Sequence, residues 1–428
     1  MACYVSYMTK TFGEAAFDLT GPSRQSGALA LSDPATATLL SVGTGSYVAG
    51  KLLLGPVVDQ LGGKKAFCGS LLVIALSFMG LSVSTKLPQL CAAWGLANFA
   101  LAVPWSGMML TCSPAWFTKL NGLGSVVAIL STASRAGVIV GNSIFGPMLR
   151  TRSWQRILQM AAVGYAVGAV VVAVCCNAPA AGAFSQALQP QKTAPQQPPP
   201  QQESERAVAS TATLLQVIFT SPRVLLVFAN ATLLNPIFMF SSILPLYLVQ
   251  AKGYTEAAAA AASSAFPVGA VASILLASRV WDQLKEKGRL LYCGCSLLVT
   301  LCATAAIGRG LVMGPRATFV ALAAMTGGMS ASWSIVGTEF VTTFGGSRAG
   351  TLTSWLDAPG YFLTTYFFAT YSRVVSRGGW GALFFRLQVY VTLALACLSS
   401  FYLLELRKRT TGAHPRLAYG ATTCTSSP

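Results

Sequence analysis

Five charged side chains sit inside otherwise apolar stretches of this 428-residue chain: Lys10, Lys51, Arg135, Glu339 and Asp357. Each is costly at such a position and is a candidate for function. Arg135 lies in the run Leu130 to Gly137, far from any other charge. Its guanidinium is a planar fork of donors suited to a carboxylate, sulfate or phosphate. The alternative is an internal pair with an acid. Lys51 stands two helical turns before Asp59, where it either reaches back to the surface or faces inward. Lys10 is a third potential anion ligand. Asp357 and Glu339 are the candidate proton-coupling groups, because a carboxyl in apolar surroundings can load and release a proton. Asp357 is also a candidate partner for Arg135, or a capping acid. Around these, Tyr47, Trp105, Asn142, Asn235, Trp333 and Tyr361 are polar or aromatic groups able to line a solute site.

Other chemistry is poorly represented. The one histidine is His414, near the C-terminus, and most of the 11 cysteines lie in apolar runs, where they act as small apolar residues. Cys293 and Cys295 have no further ligand nearby, so neither a metal site nor a bound cofactor is expected. There is no Ser/His/Asp constellation, and an enzyme is not expected.

The elements that hold these residues follow from composition. The chain is 54% hydrophobic and 10% charged, with a mean hydropathy of +0.59. Segments 66–85, 87–118, 157–191, 224–251, 257–278, 290–308, 317–338 and 387–404 contain no Asp, Glu, Lys or Arg. A helix needs about 20 apolar residues to cross a bilayer core. Inside lipid the backbone must satisfy its own hydrogen bonds, so these are read as helices, and the absence of alternation excludes a strand barrel. Full spans are expected at 35–58, 66–85, 88–112, 122–149, 154–178, 222–250, 256–281, 289–308, 316–341, 349–375 and 381–405, eleven in all. Residues 1–20 carry Lys10, Glu14 and Asp18 and read as an incomplete first span. The net charge of +17 is distributed in short clusters at the ends of apolar runs, which is membrane topology rather than nucleic-acid binding.

A loop and its echo organise the chain. Gly55, Asp59, Gln60, Leu61, Gly62, Lys64 and Lys65 follow one apolar run; Ser278, Asp282, Gln283, Leu284, Gly288 and Arg289 follow another. Segment 179–212, rich in Pro and Gln, lies between and reads as a linker. The expected organisation is a transmembrane half 1–178, a cytosolic linker 179–212, a second half 213–405 and a basic cytosolic tail 406–428. The Lys and Arg balance of the loops places both termini and the linker in the cytosol.

These residues resemble the major facilitator superfamily. Its signature loop between spans two and three is matched at Gly55, Asp59, Gly62, Lys64 and Lys65, and its degenerate second copy at Asp282, Gly288 and Arg289. Gln60 and Gly63 depart from the basic residues usual there. Gly137, Gly141, Gly146 and Pro147 resemble the glycine-proline run of span five. Within the superfamily the chain looks most like the organophosphate:phosphate antiporters, through Tyr47, Lys51, Gly55 and Asp59, through Tyr7, Lys10 and Phe12, and through Trp116 and Phe117. Thr9, Ile237 and Ala133 stand near positions where that branch carries two arginines and a histidine.

The resemblance implies an all-α, two-half membrane protein that rocks about a central site. The expected function is secondary active transport of a small solute, an organic or inorganic anion, with substrate contacts from Arg135, Lys51, Lys10, Tyr47 and Asn235. The signature loop, with Asp282 and Arg289, is expected to act as a gate, Asp59 meeting the N-terminus of a neighbouring helix. Expected partners are the solute, the lipid bilayer and protons or a counter-anion. The alternatives are proton-coupled symport of a neutral solute, and a sensor that binds without transporting.

Overall fold

The structure is a computed structural model that describes residues 2–26, 30–108, 123–176, 221–344 and 349–410. Every regular element among them is helical. In chain order these are α1 (Ala2–Leu19), α2 (Gly21–Ser26), α3 (Asp33–Leu61), α4 (Gly63–Val83), α5 (Leu87–Leu101), α6 (Leu123–Met148) and α7 (Trp154–Cys175). Then follow α8 (Pro222–Met239), α9 (Leu244–Lys252), α10 (Glu256–Ser263), α11 (Ala265–Val280), α12 (Glu286–Gly308), α13 (Pro315–Phe344) and α14 (Ala349–Thr410). One-turn 3-10 helices at Phe240–Ser242 and Trp281–Gln283 join α8 to α9 and follow α11.

Local chemistry sets the boundaries. At the start of α3 the Ser32 hydroxyl accepts from the Ala35 amide at 3.4 Å, with Pro34 in the first turn, where its missing N–H is no loss. α3 ends at Gly62, whose φ of 83° a side chain would oppose. Thr255 caps α10 by accepting from Ala258 at 3.3 Å.

Eight helical stretches among the described residues are long and apolar enough to cross a membrane. The last of them, Thr351–Arg407, is 57 residues long and turns at Gly379, where φ is 68°. The eleven expected full spans are thus met in part. α1 is 18 residues long but carries Lys10, Glu14 and Asp18, and it is not among the eight. Expected spans 222–250 and 256–281 are each broken, near Ile243 and Ser264. The linker 179–212, the tail beyond residue 410, Trp116 and Phe117 lie outside the described residues.

Large apolar side chains cover the outer faces: Leu76, Val83, Val163, Val174, Leu291 and Phe362 are largely exposed. In water this would be an aggregation surface; against lipid it is the required one. Inside, helices before residue 177 pack on one another, as do those after 220, through α1 on α6, α4 on α7, α8 on α14 and α11 on α13. The two sets meet where α3 lies along α14 and α6 along α10 and α11. The approach of α1 to α6 depends on Gly137, because any side chain there would collide with the Met8 carbonyl.

Candidate functional site

A cavity of about 170 Å³ lies between the two sets of helices. Among the described residues three bases and three acids line it: Lys10, Lys51 and Arg135 against Glu14, Asp18 and Asp357.

Lys10, Glu14 and Asp18 recur every fourth residue on α1, so they share one face, and close packing on α6 and α7 turns that face inward. Lys10 Nζ lies 3.5 Å from Glu14 and 5.8 Å from the rings of both Tyr7 and Tyr47. The Tyr165 hydroxyl donates to the Lys10 carbonyl at 2.6 Å, fixing that turn of α1. Asp18 accepts from the Ser242 hydroxyl at 3.4 Å, across to the other set of helices.

Lys51 is 1% exposed, so it does not reach the surface. Its Nζ meets Asp357 Oδ2 at 2.8 Å, joining α3 to α14. Asp357 therefore pairs with Lys51, not Arg135. Two residues of α6 beyond Arg135 comes Gly137, so the contact that seats α1 also sets the depth of the guanidinium. Arg135 is buried, and its Nη1 donates to Ser134 Oγ at 3.3 Å. Its guanidinium carbon sits 4.1 Å over the Phe238 ring and 5.9 Å from Trp333. Among the described residues no carboxylate lies within 4.0 Å of it, and its buried Nε has no hydrogen-bond partner.

Aromatic rings supply most of the apolar wall. Tyr47 packs on Tyr361 at 4.1 Å, Tyr7 on Trp105 at 5.4 Å, and Phe238 on Trp333 at 4.8 Å and 12°. Tyr47, Trp105, Trp333 and Tyr361 thus line the cavity as the sequence suggested. Asn235 and Asn142 do not. Asn235 donates to Thr364 Oγ1 at 2.9 Å within the α8–α14 contact, where Gly360 admits it. The side chains of Glu339 and Asp282 lie outside the described residues.

The cavity is bounded by polar contacts at both ends. At one end Asp59 Oδ2 accepts from the Thr351 amide at 3.2 Å and the Thr351 hydroxyl at 2.6 Å, at the start of α14. Gly55 allows close approach to Ser354, whose hydroxyl is 3.2 Å from that of Ser106. Lys64 and Lys65 occupy the first turn of α4. Arg289 Nε donates to the Leu284 carbonyl at 3.1 Å, and its guanidinium lies 5.1 Å from the Trp281 ring. At the other end the Ser23 hydroxyl donates to Glu256 at 2.5 Å, and Gln250 donates to Gln25 and Asp33 at 3.3 Å.

Glu14, Asp18 and Phe238 also line the cavity, beyond the residues to which the sequence points. The four-residue spacing of Lys10, Glu14 and Asp18 was the available signal for the acids. Their polarity reads in the sequence as an incomplete span, whereas it is the inward face of a helix. Phe238 carries no comparable signal.

The chain matches the family model described as Major Facilitator Superfamily over residues 3–363. No curated protein matches it. A solved structure, of a POT family transporter in complex with a thioalcohol-conjugated peptide, is similar over 96% of each chain, with a TM-score of 0.67 at 13% identity. That likeness extends to the fold and does not single out the organophosphate branch. With a family match over most of its length and a polar cavity inside an apolar shell, the chain belongs to the major facilitator superfamily: a multi-pass membrane protein that transports small solutes by alternating access and performs no catalysis.

Proposed function

We propose that the chain is a proton-coupled symporter of a small solute carrying a single anionic group. The observation that carries this reading is the charge pattern of the cavity. Lys10 and Lys51 each have a carboxylate partner, whereas Arg135 has none within 4.0 Å among the described residues. One anion therefore has one place to go. A dianionic phosphate ester would need a second free cation, and the arginines usual in the organophosphate branch are replaced near Thr9 and Ile237.

Proton coupling follows from the same balance. An anion arriving on Arg135 adds negative charge to a low-dielectric site already holding Glu14, Asp18 and Asp357. Taking up a proton on a neighbouring carboxyl relieves that cost. Asp357 is the carboxyl placed to convert loading into motion, because its partner Lys51 lies on the other set of helices. Protonation weakens the tie between α3 and α14. Asp59 on Thr351 and Ser106 on Ser354 then act as the cytosolic gate, with Gly62, Lys64 and Lys65 beside it.

In this reading α1, α6 and α13 cross the membrane with the eight apolar stretches, and the turn at Gly379 divides α14 into two crossings. Residues 1–178 and 213–405 are the two rocking halves, with 179–212 and 406–428 on the cytosolic side.

The test is reconstitution in liposomes loaded with a pH-sensitive dye, with solutes of charge zero, minus one and minus two added outside. Entry of protons with a monoanion, absent from Arg135→Met vesicles, is the expected result. Proton-independent exchange of dianions would restore the antiporter reading. Binding without flux would identify a sensor.

A further inference from the structure

We infer that the anionic group recognised at Arg135 belongs to a flat aromatic acid, of the aryl monocarboxylate class. This deepens the symport reading and rests on it.

Three observations converge. The first is the free edge of Arg135. Its Nε is buried without a hydrogen-bond partner while Nη1 is held by Ser134, so the fork is positioned but not filled. The second is the platform beneath it. The guanidinium carbon lies 4.1 Å from the centroid of Phe238 and 5.9 Å from that of Trp333, two rings stacked with 12° between their planes. A carboxylate bound edge-on to a guanidinium lies in the guanidinium plane. In an aryl carboxylate the ring continues that same plane, so the whole solute is a thin slab that fits between the aromatic side chains lining the cavity. A saturated ring puckers out of that plane. The third is the composition of the remaining wall. Facing surfaces come from Tyr7, Trp105, Tyr47 and Tyr361, and offset or edge contacts with a π face are what such rings favour. A cavity of about 170 Å³ has room for one ring with its carboxylate.

Phe238 is then the specificity-determining residue. It holds Arg135 by cation–π contact and, with Trp333, forms the aromatic wall beside the bound carboxylate.

The experiment is calorimetric titration of the full chain in detergent with benzoate and with cyclohexanecarboxylate, which share charge and approximate size but differ in planarity. Benzoate is expected to bind roughly tenfold more tightly. Phe238→Leu should reduce that ratio to below about threefold, and Arg135→Met should abolish binding of both. Equal binding of the two acids by the unmodified protein would overturn the aromatic inference and leave monoanion symport standing. Binding of neither, with proton entry in the liposome assay driven by a neutral or dianionic solute, would overturn both. The comparison of two acids on the unmodified chain needs no variant to fold.

Discussion

Lys51 Nζ and Asp357 Oδ2 lie 2.8 Å apart, and they are the one salt bridge among the described residues that links the helices before residue 177 to those after 220 across the cavity. The pair is largely withdrawn from water, with Lys51 fully covered and Asp357 partly open to the cavity. Such a pair is held as much by the cost of breaking it as by its attraction.

Replacing Asp357 with Asn leaves the Lys51 charge buried without its counter-charge. We expect a loss of about 3 kcal/mol of stability, read as a lower melting temperature in detergent. Uphill uptake driven by a pH gradient should vanish while exchange of solute for solute persists. Unchanged pH dependence would remove Asp357 from the coupling step. The double variant Lys51→Met with Asp357→Leu should regain stability without regaining coupled uptake.

Arg135→Lys keeps the charge but loses the planar fork and the stack on Phe238. Apparent affinity for a transported monoanion should fall about tenfold, and for Arg135→Met about a hundredfold or more. Radiolabelled uptake over a concentration series measures both. Equal kinetics of lysine and arginine forms would show that Arg135 is a packing residue.

Cysteines at Ser106 and Ser354, whose hydroxyl oxygens are 3.2 Å apart, should cross-link under mild oxidation and stop transport, with recovery on reduction. Asp59→Ala removes the acceptor for the Thr351 amide and hydroxyl and should slow that cross-linking severalfold by favouring separation at this end. A cross-linked protein that still transports would mean this end does not move.

Asn235→Ala should cost about 1 kcal/mol through its lost bond to Thr364, with solute affinity unchanged. A large fall in affinity would return Asn235 to the substrate site. Gly137→Ala, by contrast, drives a methyl into the Met8 carbonyl and should cost about 1–3 kcal/mol together with transport, since α1 carries Lys10 and Glu14.

Membrane helices were legible because lipid leaves the backbone one solution, and the family was legible because glycines and acids at loop spacing survive in the primary structure. The cavity was legible where an ionisable residue stood alone in an apolar run, as with Arg135, Lys51 and Asp357. It was not legible where polarity had two meanings. Glu14 and Asp18 weaken α1 as an apolar segment and strengthen it as a cavity wall, and only packing against α6 and α7 decides between them. The Lys51–Asp357 match was likewise out of reach, because no local rule relates positions so far apart. The placement of Asn235 was out of reach for the opposite reason: a buried amide satisfies itself on a neighbouring helix, here at Thr364, as readily as on a solute.

The equal number of bases and acids among the described residues that line the cavity has an electrical consequence. One elementary charge moved across 100 mV is worth about 2.3 kcal/mol. In the proposed symport, a balanced set of fixed charges loaded with one anion and one proton would carry no net charge through the cycle. Membrane voltage would then neither drive nor oppose the loaded step, and such a symporter would work equally well across a polarised membrane and a depolarised one, drawing on the difference in acidity alone.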